Sequence, residues 1–124
     1  MRIDVHAHFF PEKYLDLLEH FGSEATDIAR RRGAGGSSDE LETRLELMDS
    51  AQVQMQVLSV SPQLPYLENE THAREAARSI NDLYADLVQR YPTRFAAFAE
   101  PREPLYHALL ATKSRSGLAC REGI

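Results

Sequence analysis

The segment Val53–Gln54–Met55–Gln56–Val57–Leu58–Ser59–Val60 constrains this chain more than any other. It is a short, valine-rich run with helical periods before and after it, so it reads as a strand. Its composition predicts near-burial on both faces, the habit of a parallel sheet. Upstream, Leu41, Leu45 and Met48 share one helical stripe, and Ser37 with Glu40 is a capping-box pattern opening a helix near 39–50. Downstream, the loop 61–70 carries Pro62 and Pro65. The clearest helix follows near 71–91, with Ala76, Ala77, Ile80, Leu83, Tyr84 and Leu87 on its apolar face and Pro92 as its stop.

The rest of the chain falls in with this pattern. Residues 3–9 alternate, with Ile3, Val5 and Ala7 on one side and Asp4, His6 and His8 on the other. Pro11 suits the first turn of a helix near 12–21, and Gly22 its end. Residues 95–99 form a third short strand. The order strand, helix, loop, helix, strand, helix, strand implies a parallel sheet of β-α units. The Gly-, Ser- and Arg-rich stretch 22–38 reads as a long mobile loop, expected to be the least ordered internal segment. Beyond Glu100 the pattern weakens: 105–114 reads as a further helix and 117–124 as a turn into a fourth strand.

Composition narrows the function classes. A chain of 124 residues, 43% hydrophobic and 27% charged, supports one globular domain or part of one. A net charge of -5 argues against nucleic acid as a partner, and Arg30–Arg31–Arg32 reads as a solvated loop. Cys120 is the single cysteine, so no intramolecular disulfide can form and a reducing compartment fits. No apolar run approaches the roughly 20 residues that cross a bilayer, and the start of the chain lacks a signal-peptide hydrophobic region. The expectation is a cytoplasmic protein with neither a nucleic-acid nor a membrane partner.

Chemistry concentrates in His6–Ala7–His8. Histidines at i and i+2 on a strand project to one face, and two imidazoles there can converge on a divalent metal. Asp4, on the same side by strict alternation, could orient a ligating imidazole or simply close the floor of the sheet. The other histidines read more plainly. His20 suits a helix C-terminus, His72 a surface position at the start of the long helix, and His107 has no assigned role. Asn81 is expected to hydrogen-bond a neighbouring loop or strand.

The segments IDVHAHFFPEKYLDLLE, RLELMDSAQVQMQVLSVSP and ARSINDLYADLVQRYPTRFAAFA resemble the opening of the amidohydrolase-related family. The branch they resemble contains aminocarboxymuconate-semialdehyde decarboxylase and related aromatic-acid decarboxylases. The likeness covers about residues 2–99, whereas 101–124 depart from the pattern. Asn81–Asp82 running into Tyr91–Pro92–Thr93–Arg94–Phe95 is more specific than the histidine pair, which the TatD-like metal-dependent phosphoesterases share. The resemblance implies an α/β fold, namely three to four β-α units from the N-terminal part of a (β/α)8 barrel. It implies a divalent metal, zinc first among the candidates, held by His6 and His8. The remaining ligands and catalytic groups would come from later strands that this chain does not contain.

The activity implied is hydrolysis or decarboxylation of a small organic acid, amide or ester. The alternatives are a non-catalytic, truncated fragment and a phosphoesterase. Residues 1–124 would then be a partial domain, no competent enzyme alone, weak in metal binding and prone to self-association through exposed sheet edges.

Overall fold

The computed structural model describes residues 1–24 and 26–100. The expectations placed on 105–124, with His107 and Cys120, lie outside the described residues. Three strands, β1 (Ile3–His8), β2 (Met55–Ser59) and β3 (Phe95–Ala97), alternate with helices α1 (Glu12–His20), α2 (Asp27–Arg30), α3 (Ser38–Ser50) and α4 (Glu70–Arg90). The strands lie in the order β1-β2-β3, both pairs parallel. The parallel β-α arrangement read from the sequence is therefore the one found, with each helix and strand predicted before residue 100 within a few residues of its place.

Local chemistry sets the ends of these elements. Helix α1 closes with Gly22 at φ 94°, a left-handed value that a residue with a Cβ resists. There the Ser23 N–H donates to the Leu18 carbonyl and the Gly22 N–H to the Glu19 carbonyl, both at 2.9 Å. Helix α3 opens on half of the expected box: the Ser37 hydroxyl accepts from the Glu40 N–H at 3.3 Å, whereas the Glu40 carboxylate takes the Ser37 hydroxyl at 2.9 Å in place of the Ser37 backbone N–H. The other Glu40 oxygen accepts from the Gly35 N–H, and a Cβ at Gly35 would collide with that carboxylate. Asn69 caps α4 by accepting from the His72 N–H at 3.1 Å.

The core lies on one face of the sheet. Leu58 and Val60 of the β2 segment meet Tyr14, Leu15 and Leu18 of α1, Ala76, Ile80 and Leu87 of α4, and Phe95 of β3. Two-faced burial of β2 is not what the structure shows. Leu58 is fully buried, whereas Met55, Val57 and Ser59, facing the other way, remain partly exposed. Among the described residues the helices cover a single face, so alternating positions have unequal surroundings.

The stretch 22–38 also differs from expectation. It contains α2, and Thr26, Ala29 and Ala34 are buried. Arg30 ties it to α1 by reaching Asp16 at 2.6 Å and Glu19 at 3.0 Å, and the Thr26 hydroxyl donates to the Glu19 carboxylate. The bonds from Thr26, then Arg30, hold Glu19 below the ordinary carboxylate range. The Phe10 N–H donates to the Ala34 carbonyl at 2.7 Å, pinning the segment to the end of β1. These anchors are single residues without period, which is why no periodic signal announces them.

Candidate metal centre

His8 is the last residue of β1 and His6 lies two before it, at the C-terminal edge of the sheet. Their rings stand edge to face with centroids 5.1 Å apart. Two imidazoles sharing one ion through bonds of about 2.0–2.1 Å have ring centres roughly 5 Å apart, so the spacing suits a common ligand. His6 is exposed, while His8 is half-buried and stacks on Phe10 at 5.8 Å. His8 Nδ1 is buried with no hydrogen-bond partner among the described residues. A buried ring nitrogen without a partner is unusual. It and the open His6 ring fit two positions of a divalent-metal shell. The described residues hold no group of three or more His, Cys, Asp or Glu side chains able to complete it.

Asp4 does not sit with the imidazoles. The strand pairing shifts between Asp4 and Ala7: Asp4 pairs with Gln56 and Ala7 with Leu58, so three steps on β1 span two on β2. Such a bulge reverses the alternation across it. Asp4 therefore shares the helix-covered face with Ala7 and Gln56, while His8 pairs with Ser59 on the open face. One Asp4 oxygen accepts from the His6 backbone N–H at 3.0 Å and the other from Gln56 Nε2 at 3.1 Å. Its hold on the pair runs through the backbone. Strict alternation placed Asp4 beside His6 and His8 because the bulge depends on the partner strand and has no mark in β1 itself.

Behind the strand lies an arginine that sequence reasoning missed. Arg44 of α3 donates from Nη2 to the His8 carbonyl at 2.8 Å and from Nη1 to Gln56 Oε1 at 3.0 Å, and its guanidinium carbon lies 5.9 Å from the Phe9 ring centre. Burial pushes Arg44 below its ordinary range, while Tyr84, Glu40 and Asp4 pull it back. Its position on the Leu41–Leu45–Met48 helix could be read from sequence, but its partners on two strands could not. A cleft of about 500 Å³, lined in part by Asp4, Glu40, Arg44, Met48 and Gln56, opens on this side, and neither histidine lines it.

The remaining candidates settle into structural roles. The His72 ring stacks on Phe21 at 4.1 Å, and His20 tilts against the same ring at 5.5 Å. Asn81 pairs with the Glu100 backbone in both directions at 2.7 Å, as expected of a residue that holds a loop. The Tyr84 hydroxyl donates to the Phe9 carbonyl at 3.0 Å and the Tyr14 hydroxyl to the Gln63 carbonyl at 2.6 Å. Burial, then the nearby Glu100 carboxylate, pushes both phenols far above their ordinary value, so both remain donors. Burial also raises Glu100. No helix among the described residues is long and apolar enough to cross a membrane.

No family model matches the chain. It is 37% identical over 94 residues to a γ-resorcylate decarboxylase from a Polaromonas species, an alignment covering 67% of this chain and 28% of that protein. Among solved structures it is similar to a dihydroxybenzoic acid decarboxylase from Polaromonas with bound manganese and 2-nitroresorcinol. That likeness has a TM-score of 0.62 and 25% identity, and covers 94% of this chain and 36% of that one. It is also similar to a 5-carboxyvanillate decarboxylase from Sphingomonas paucimobilis, with a TM-score of 0.57, 26% identity, and 79% and 33% of the two chains covered. The chain thus spans about a third or less of the length of these relatives. The ion named with the Polaromonas structure is manganese, not zinc. Sequence segments, parallel β-α order and these likenesses together make the chain a relative of the decarboxylases of the amidohydrolase superfamily, matched over part of their length.

Proposed function

We propose that this chain is the first part of a metal-dependent decarboxylase acting on a small aromatic carboxylic acid, with His6 and His8 as two of its metal ligands. The observation that carries the reading is the imidazole pair, 5.1 Å apart at the C-terminal edge of β1, with His8 Nδ1 buried and unpartnered. Active sites of β/α barrels form at that edge, so position and chemistry agree. A divalent ion held there would polarise the carboxylate of a bound acid. The residues of this chain supply two imidazole nitrogen donors, hold one ring against Phe10 and leave the other open to solvent. Manganese is favoured over zinc, because it is the ion named for a relative. Decarboxylation is favoured over hydrolysis, because the sequence relative and both structural ones are named as decarboxylases. The single cysteine supports a cytoplasmic location.

Titration of the 124-residue chain with Mn2+ and Zn2+ by calorimetry, beside a CO2-release assay on 2,6-dihydroxybenzoate and 5-carboxyvanillate, tests this reading. Expected are binding in the micromolar range or weaker, its loss in His6→Ala, and no turnover by the chain alone, since a two-ligand shell is incomplete. Metal binding indifferent to His6→Ala would sink the site. Turnover by the isolated chain would show that it is a whole enzyme rather than the first part of one.

A further inference from the structure

We propose that Arg44, Gln56 and Asp4 form a positioning clasp that grips the backbone on both sides of Ala7 and so fixes how far apart the His6 and His8 rings stand. Its consequence for metal rests on the reading above, but its geometry does not. The bulge between Asp4 and Ala7 takes the middle of β1 out of regular pairing with β2. A bulged strand loses ladder contacts and bends, so its side chains are aimed by whatever holds the bulge. Here Asp4 Oδ1 takes the His6 N–H at 3.0 Å, and at the other end Arg44 Nη2 takes the His8 carbonyl at 2.8 Å.

Gln56 joins these two grips. Its Oε1 accepts from Arg44 Nη1 at 3.0 Å and its Nε2 donates to Asp4 Oδ2 at 3.1 Å. An arginine can only donate and a carboxylate can only accept, so the amide between them has one allowed orientation. The clasp therefore runs from α3 through β2 to β1 and closes on both histidines without touching either imidazole. Closing the bulge alone would need no more than the Asp4–backbone bond. Even a half-buried guanidinium is costly to desolvate, and an apolar side chain at position 44 would pack α3 as well. The extra links are explained if the spacing of the rings is what they hold.

The test uses the 124-residue chain and three variants: Gln56→Leu, Asp4→Asn, and Asp4→Asn combined with Gln56→Glu. The double variant reverses donor and acceptor across the middle link: the carboxylate at 56 accepts from both neighbours, and the amide oxygen at 4 still accepts from the His6 N–H. Free Mn2+, followed by its electron paramagnetic resonance signal, reads affinity. Partners that orient metal ligands are typically worth about 10- to 100-fold in affinity. Gln56→Leu and Asp4→Asn should each lose about tenfold or more, and the double variant should recover most of it. Equal affinity in Gln56→Leu, or a double variant no better than the singles, overturns the clasp, as does an affinity that merely follows the melting temperature across the set.

A metal-free readout separates this proposal from the one it rests on. The His6 and His8 rings are close enough to shift each other's proton resonances, and the His6 amide should exchange slowly while Asp4 holds it. The slow exchange should be lost in Asp4→Ala, and the mutual ring shifts in both Asp4→Ala and Gln56→Leu. Their loss in a protein whose wild type binds no Mn2+ through His6 would keep the clasp and discard the metal site. Their persistence would discard the clasp whatever the metal does.

Discussion

The two faces of the three-stranded sheet are built differently. On the helix side, Leu58, Val60, Ile80 and Leu87 are 0% exposed, and the Tyr84 and Tyr14 hydroxyls are paired with backbone carbonyls. On the other side, Val5 is 68% and Ile3 43% exposed, and His6 lies open. The first face holds the described residues together, because burial of apolar area is the main favourable term in folding. The second contributes little to that and carries the candidate chemistry. Stability and function are thus separated across one layer of backbone, and Asp4 is tied to both: it points to the helix side yet holds the His6 amide.

Substitutions on the closed face should have the largest effects. Leu58→Ala removes a fully buried side chain between helices and sheet, and should cost about 2–5 kcal/mol in urea unfolding. A loss below about 0.5 kcal/mol, the range of ordinary surface changes, would mean that this face is not the core. Tyr84→Phe keeps the ring but strips the Phe9 carbonyl of its donor, an unsatisfied group worth about 1–3 kcal/mol. Tyr84→Phe should melt lower than wild type, with the pairing of β1 and β2 intact by amide exchange.

Glu100 gives a smaller effect with a pH signature. Burial raises its folded pKa above the unfolded value, so the folded state binds the extra proton. Stability from this group is fully present below the ordinary carboxylate range and is lost as pH rises through the raised value. Glu100→Gln should therefore match wild type in acid and melt higher at neutral pH. A variant that melts lower at neutral pH would show that the ionised carboxylate is stabilised by a partner. The smallest effect belongs to the open face: Val5→Ala should change unfolding free energy by no more than about 0.5 kcal/mol, and a core-sized loss would show that this face is covered in solution.

Much of the fold was legible because its signals are local. The stop at Gly22, the Ser37–Glu40 pair, the apolar stripe of α4 and the places of the three strands each depend on residues within a turn or two of one another, and each appears where the sequence placed it. The histidine pair belongs with them, since i and i+2 on a strand are neighbours through geometry alone. The anchors of 22–38 escaped notice for the opposite reason: Thr26, Ala29 and Arg30 matter through contacts with α1, and nothing in their own spacing says so.

The sequence by itself determined which segments become strands and helices, that the strands run parallel, and that two imidazoles end the first of them. Backbone periodicity and side-chain chemistry suffice for that. Only the tertiary structure decided which face of the sheet is closed, where β1 bulges, and that Asp4 turns toward Gln56 and Arg44 rather than toward the imidazoles. A bulge is a mismatch between two strands, and a clasp is a meeting of three elements 52 and 12 positions apart in the chain. Neither exists until packing brings those residues together.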